Sequence, residues 1–338
     1  MTAIESILSS IAGLRLCIVG DLLLDVYESG RVERISPEAP VPVVIHEQTT
    51  HRASGVATAA QSVRALCNRV DVVTAVGDDE DGRLVTRLLE ETGVQPDVVA
   101  DRTRRTPRKT RILAGGQHLV RVDRETVHDL PAEDARTLTT RAVAAAVAAD
   151  AVLISDYAKG VCTPGVNRAV ILAARSAGVP VVVDPKHADP QRYAGATAIT
   201  PNRRELREFA RYLNCPADPP GVSAARLRQA GGFGWVMATR DADGMLVVGP
   251  DRAFDVPAYA ATVLDVSGAG DALAATLALC LGSGVPPERA AVVSSLVAGL
   301  TLRTLAHKRV SRSDVLEAAD RFGLRGTSDH SAASARRA

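Results

Sequence analysis

The sequence predicts an α/β protein: a doubly wound, mostly parallel sheet flanked by helices, with a small β-sheet lid over one end. Three observations carry this. From Leu14 onward, short β-branched runs alternate with longer amphipathic or Ala-rich stretches, the rhythm of successive βα units. Of 338 residues 46% are apolar, yet aromatics amount to one Trp, five Tyr and four Phe, so the core is built from Ala, Val, Leu and Ile. That composition suits buried parallel strands and Ala-rich helices. Two strand-like stretches, finally, are not followed promptly by a helix and so stand apart from the main alternation.

Taken in order, the β-branched runs Arg15–Val19, Val70–Ala75, Ala151–Ser155, Val179–Val183, Ala196–Thr200 and Trp235–Thr239 are the expected strands of the main sheet. Between them lie helical stretches at Gly55–Leu66, Asp81–Thr92, Ala132–Ala148, Thr163–Ala177, Asn202–Leu213 and Ala224–Ala230. Met245–Val248 and Ala253–Val256 form a short antiparallel finish, and Gly268–Leu281 and Pro287–Leu305 two closing helices. The stretches outside this alternation are Val26–Glu47, paired around Ser36-Pro37-Glu38-Ala39-Pro40, and a hairpin at Thr110–Asp123 turning at Ala114-Gly115-Gly116-Gln117. One domain over residues 1–325 is expected, its lid drawn from about 26–50 and 107–124. The polar, small-residue stretch 326–338 reads as a disordered tail.

Composition removes several function classes. Forty Lys plus Arg against thirty-nine Asp plus Glu leave a formal charge of +1, no global field for gripping a polyanion, so no nucleic-acid partner is expected. No basic leader precedes the first apolar run, and no apolar run is long enough to span a bilayer, so no membrane partner is expected either. Five cysteines without a CxxC pair suggest neither a disulfide framework nor a zinc site, and a reducing cytoplasm is the expected location. The seven histidines show no metal-ligand spacing, and neither a G-x-S-x-G elbow nor a P-loop is present.

Four constellations carry chemistry. Asp265-Val266-Ser267-Gly268-Ala269-Gly270-Asp271 runs straight into a helix. Glycines at a helix start let backbone N–H groups converge on an anion, and an acid beside that anion is placed to take a proton from an attacking hydroxyl. The same residues also read as a plain glycine turn with a first-turn acid. Asn202 with Glu205 is both a capping box and a pair able to order phosphates and the waters of Mg²⁺. Asp21 and Asp25 follow the first strand, where one of them is placed for sugar hydroxyls or for loop capping. Six cations between Arg102 and Arg111 read as a solvated face or as an attractor of an anionic substrate, and Lys186 in Asp184-Pro185-Lys186 is a second phosphate-seeking cation.

In this order the pieces resemble the ribokinase-like (PfkB) carbohydrate kinases, whose late signature D-x-[ST]-G-A-G-D matches Asp265–Asp271 and whose N-x-x-E element matches Asn202 and Glu205. The resemblance runs from Gly20 to about Ser311. Within that family the chain looks most like bacterial D-glycero-β-D-manno-heptose 7-phosphate kinases, through GDLLLD (Gly20–Asp25), RISPEAPVPVV (Arg34–Val44), SDYAKG (Ser155–Gly160), GVPVVVDPK (Gly178–Lys186) and ITPN (Ile199–Asn202). It implies a ribokinase-like fold and an ATP-dependent phosphotransferase acting on an alcohol group, namely the anomeric hydroxyl of the heptose 7-phosphate, with Mg²⁺ and room for a monovalent cation. Asp271 is then the base, and Gly268, Ala269 and Gly270 the anion hole. Asp25, Gly55 and Thr58 meet the sugar, and Arg34, Arg111 and Lys186 its phosphate. Asn202, Thr239, Arg240, Gly244 and Ser295 border the nucleotide, and Glu205 (through water) with Asn202 orders the metal.

Departures from the family pattern are Ser54 and Thr58 where Gly and Asn are usual, Ser294-Ser295 for Ala-Asn, and Ala306-His307-Lys308 for a late Gly-Thr-Ser. They motivate two alternatives: a kinase of a different sugar or sugar phosphate, and a non-catalytic sugar-phosphate-binding regulator. The resemblance also implies a homodimer paired through its lids. No nucleotidyltransferase domain follows the kinase stretch, so later nucleotide activation is expected from another chain.

Overall fold

The computed structural model describes residues 2–259, 268–302 and 310–324. The chain enters through helix α1 (Ala3–Ala12), closed at its start by a Thr2/Glu5 capping box, and strand β1 (Arg15–Gly20). Two fourteen-residue strands follow, β2 (Leu22–Ile35) and β3 (Pro42–Gly55), then α2 (Val56–Val63), β4 (Arg69–Gly77), α3 (Glu80–Glu90) and β5 (Gln95–Asp101). A hairpin of β6 (Arg108–Ala114) and β7 (Gln117–Arg124) leads to α4 (Ala132–Val147), β8 (Ala151–Ser155), α5 (Pro164–Ser176), β9 (Val181–Asp184) and β10 (Ala198–Ile199). The last part holds α6 (Arg203–Tyr212), α7 (Pro220–Gly231), β11 (Trp235–Thr239), β12 (Met245–Val248), β13 (Ala253–Val256), α8 (Ala269–Gly282), α9 (Pro287–Thr301) and α10 (Arg312–Arg321).

Nine strands form the main sheet in the order β13-β12-β11-β10-β9-β8-β1-β4-β5. Every pair from β11 to β5 is parallel; β12 and β13 add an antiparallel edge. Alternation along the central strands sends Leu16, Ile18 and Leu153 into one apolar cluster with α1, α2, α8 and α9. Cys17, Val19, Val152 and Ile154 go into a second, with α4, α5 and α7. Both faces are therefore covered, as the near-continuous apolar strands require.

The remaining strands make a second sheet, β3-β2-β6-β7. Its two hairpins, separated in sequence by residues 56–107, are joined by parallel pairing of β2 with β6 in the register Asp25↔Lys109, Tyr27↔Arg111. The expected turns are present at Ser36–Pro40 and Gly115-Gly116, but the first hairpin is longer than expected, reaching Leu22 and Gly55. The expected strand run Ala196–Thr200 narrows to Ala198–Ile199, and α7 begins at Pro220 instead of Ala224. Three elements went unforeseen: α1, α10 and the edge strand β5, whose polar QPDVVAD carries little β-branched signal. The tail, the end of the helix expected to reach Leu305, and Asp265–Ser267 lie outside the described residues.

Gly55 ends β3 with φ +70°, and a Cβ there would stand 2.2 Å from the Asp21 carbonyl oxygen and 2.5 Å from Leu23. Only glycine suits this turn from the second sheet into α2. Gly55→Ala is expected to lower unfolding free energy by about 3 kcal/mol, read by urea denaturation.

Candidate active site

The carboxyl ends of β8, β9, β10 and β11 and the start of α8 surround one cavity of about 220 Å³, lined among others by Tyr157, Asp184, Lys186, Asn202, Glu205, Thr239, Gly270 and Asp271. In an open α/β sheet this is where the strand ends leave room for a ligand.

Helix α8 is apolar and buried along nearly its whole length, which fixes its first turn firmly against the sheet. Its cap, Gly268, takes φ +79°, and a Cβ there would come within 2.7 Å of the Thr58 methyl. Thr58 in α2 thus closes one side of the helix start. On the other side Gly270 has open space around its Cα. The N–H groups of Ala269, Gly270 and Asp271 belong to the first turn of a helix, where no intrahelical acceptor exists, so this end is a ready anion site.

Asp271 is 7% exposed. The Tyr157 hydroxyl donates to both its oxygens, at 2.7 and 2.9 Å. Burial pushes the Asp271 carboxyl up to about 6, and the Tyr157 bond pulls the other way. Asp184, at the end of β9, is driven well above the usual carboxylate range by burial and by Asp271 and Glu205, against the Thr200 hydroxyl that donates to it at 3.2 Å. The cavity therefore holds concentrated acid, with Lys186 reaching Glu205 at 3.1 Å as its counter-charge.

Asn202 and Glu205 make both bonds of the capping box, side chain from backbone at 2.9 Å and backbone to side chain at 3.0 Å. The cap and the cavity wall are thus the same residues. Thr239 stands beside Asn202 through a parallel bridge. Arg240 is ion-paired with Asp255, and Gly244 lets its strand approach Val256, whose carbonyl oxygen would lie 2.1 Å from a Cβ. The Ser295 hydroxyl donates to the Pro257 carbonyl at 3.1 Å, tying α9 to the segment after β13. These last three lie outside the cavity lining.

The two acids after β1 part company. Asp21, 1% exposed, accepts from the backbone N–H groups of Tyr157, Lys159 and Val161 at 2.8, 3.1 and 3.0 Å, so it shapes the loop after β8. Asp25 instead sits on the second sheet, paired with Arg111 at 2.8 Å. Side-chain alternation puts Asp25, Tyr27, Arg52, Lys109 and Arg111 on one face, where the guanidinium groups of Arg52 and Arg111 lie 4.7 and 5.2 Å from the Tyr27 ring centre. Lys109 lies 6.0 Å over the ring of Tyr157, the residue that holds Asp271. Burial lowers the Lys109 ammonium, with Asp25 opposing and Lys159 and Arg121 adding to the shift. Arg34 is at the exposed outer end of β2, opposite Val43. Sequence reasoning missed Tyr157, Asp184 and Lys109 as site residues. Their signals were the SDYAKG stretch, the acid before Pro185-Lys186 and the cationic run, each noted for something else.

A carbohydrate-kinase model, the pfkB family, matches residues 14–307. The chain belongs to the pfkB family of carbohydrate kinases. It is 43% identical to the bifunctional protein HldE of Acidiphilium cryptum over 89% of its own length and 62% of the relative's, and 40% identical to that of Caulobacter vibrioides over 91% and 63%. The chain thus spans less than two thirds of the length of these relatives. Among solved structures, the fold is similar to Arabidopsis thaliana ribokinase complexed with ribose and ATP, with TM-score 0.69, 18% identity and 90% and 98% of the two chains covered. It is likewise similar to Escherichia coli phosphofructokinase-2 in complex with fructose-6-phosphate, with TM-score 0.71, 17% identity and 91% and 99% coverage. The fold is ribokinase-like, and the activity class is ATP-dependent phosphoryl transfer to a sugar.

This family uses ATP and typically a divalent metal, and the cavity suits the phosphate and metal end of such a pair. Its lining is acidic, with an amide and a carboxylate at the β10–α6 junction, and the open start of α8 faces it. Among the described residues no three His, Cys, Asp or Glu side chains gather as a direct ligand set. Asn202 and Glu205 would meet a divalent ion there through its waters.

Because the folded carboxyl of Asp271 titrates near 6, above its unfolded value of 3.8, folded protein binds the extra proton between those limits and stability falls as pH rises through them. Asp271→Asn removes that charge. It is expected to be more stable than the native protein at pH 8, by up to about 3 kcal/mol, with the gap closing by pH 4 in urea titrations.

Proposed function

We propose that the chain transfers the γ-phosphoryl group of ATP to the anomeric hydroxyl of D-glycero-D-manno-heptose 7-phosphate, giving the 1,7-bisphosphate. The observation that carries this reading is the placement of one buried acid, Asp271, between the open N-terminus of α8 and the cationic face of the second sheet. Asp271 takes the proton of the sugar hydroxyl, and the Gly268–Gly270 backbone stabilises charge on the phosphoryl group in transfer. Asn202 and Glu205 would hold the waters of a bound Mg²⁺, which would offset phosphate charge. The face bearing Arg52, Lys109 and Arg111 receives the phosphate already on the sugar, with Lys109 lying 6.0 Å over the ring of Tyr157, which holds the base.

Arg34–Val44 and Ser155–Gly160, which resemble the heptose 7-phosphate kinases, support the sugar assignment, as does about 40% identity to the HldE relatives. Thr58 packs beside Gly268 where the family usually has Asn, and this favours, as the second reading, a different sugar phosphate. A homodimer paired through the second sheets fits the exposed Ile35, Val41, Val120 and Val122, which a partner would cover. Among the described residues no helix is long and apolar enough to cross a membrane, and we place the enzyme in the cytoplasm.

ADP release measured across a panel of sugar phosphates is expected to be fastest with the heptose 7-phosphate; a clear winner elsewhere selects the second reading. Asp271→Asn should cut kcat about a thousandfold, and a variant turning over at the native rate removes this role for Asp271. In the native enzyme kcat/KM should fall about tenfold per pH unit below the Asp271 midpoint near 6, as the base becomes protonated. Lys109→Met is expected to raise KM for the sugar phosphate about tenfold or more and leave KM for ATP within about twofold, the loss of one charge-assisted contact.

A further inference from the structure

We infer that Tyr157 is a positioning residue for phosphoryl transfer, holding the Asp271 carboxylate by both oxygens in the orientation in which an incoming hydroxyl meets it. This rests on the reading of Asp271 as the base. Among the described residues no other donor reaches that carboxylate: the phenol supplies 2.7 and 2.9 Å contacts, and the acid is otherwise walled by the apolar side of α8 and the cavity. An aspartate's last torsion is soft, so without an anchor the group swings. An ionised carboxylate offers about four lone-pair sites, and a phenol shared between its two oxygens leaves the others for a substrate.

Tyr157 itself is rigidly placed. Its N–H is bonded to Asp21 at 2.8 Å, and the next residue, Ala158, takes a left-handed φ of 55° with its N–H on Asp156 at 2.7 Å. Asp156 is in turn held by the Tyr193 hydroxyl at 2.6 Å. A ring serving only to fill space would have no need of this alignment, and Phe would fill it as well. The phenol stays protonated, raised well above its usual range by burial and by Asp271, so it is a donor throughout the working pH range. The other charges facing the pair are Asp156 after β8, Asp184 at the end of β9 with Lys186 beyond it, Glu205 on α6, and Asp25 and Lys109 on the second sheet. None of them donates a hydrogen bond to Asp271, and the bond that favours its ionised form comes from Tyr157 alone among the described residues.

Tyr157→Phe keeps the ring and removes the donor. With heptose 7-phosphate and ATP·Mg²⁺, kcat should fall about ten- to a hundredfold, KM for ATP should stay within about twofold, and the acidic limb of kcat/KM should move up by about one pH unit. A readout that needs no substrate separates this inference from the sugar assignment. With ¹³C-carboxyl aspartate, and Asp271 assigned by its loss in Asp271→Asn, the midpoint near 6 in the native protein should rise in Tyr157→Phe. It should fall when Tyr157 alone is replaced by 3-fluorotyrosine, a more acidic phenol and stronger donor that also serves if the Phe variant does not fold. A midpoint unmoved by either replacement overturns the inference whatever the rates; a shifted midpoint with slowed turnover of a sugar phosphate other than the heptose 7-phosphate upholds it and removes the heptose assignment.

Discussion

One buried carboxylate aligns the parts of this molecule. Asp21 leaves β1 with its own N–H directed to the Ser155 carbonyl, its carbonyl oxygen accepting from Val56 at the start of α2, and its side chain gathering three N–H groups of the loop after β8. Through that single residue the end of the main sheet, the turn out of the second sheet and the loop carrying Tyr157 share one frame. A carboxylate without those donors could not be buried there at tolerable cost. With them its carboxyl still rises to about 6, since burial and the neighbouring Asp156 outweigh the backbone bonds.

The site repeats this theme with opposite purpose. Asp271 and Asp184 are also pulled from water, Asp271 with two contacts from one hydroxyl and Asp184 with one hydroxyl contact, instead of three backbone donors. Such a site destabilises the fold when ionised and is poised to accept a proton near neutral pH. That acid, Asp271, lies in the positive first turn of α8, and Lys109 of the second sheet lies over the ring of the Tyr157 that holds it. Overall charge of +1 conceals this local arrangement, because acids elsewhere in the chain and on the second sheet itself, Asp25 beside Arg111 among them, offset the cations in the sum.

Much of the site was legible in the chain. Gly268-Ala269-Gly270-Asp271 before an apolar helical run announced a glycine-capped helix start with a first-turn acid, and Asn202 with Glu205 announced a cap at a strand end, because both are local: a helix start is defined within four residues. Which of Asp21 and Asp25 serves the fold was not legible. The answer lies in N–H groups more than 130 positions away in sequence. Tyr157 was hidden for the same reason, its partner Asp271 being 114 residues on.

The sequence by itself determined the alternation of apolar strands and helices, hence a sheet buried on both faces, the helix starts with their caps, and the chemistry each cap can perform. Those properties follow from side-chain periodicity and backbone donors over a few residues. Only the tertiary structure decided that β2 pairs with β6, so that a cationic run near Lys109 faces the ring of Tyr157, and that β1, β8 and β9 adjoin, so that Asp21, Asp156 and Asp184 crowd one end of the sheet. Parallel neighbours are brought together by burial of their common apolar faces, and nothing in a local window states which strands those will be.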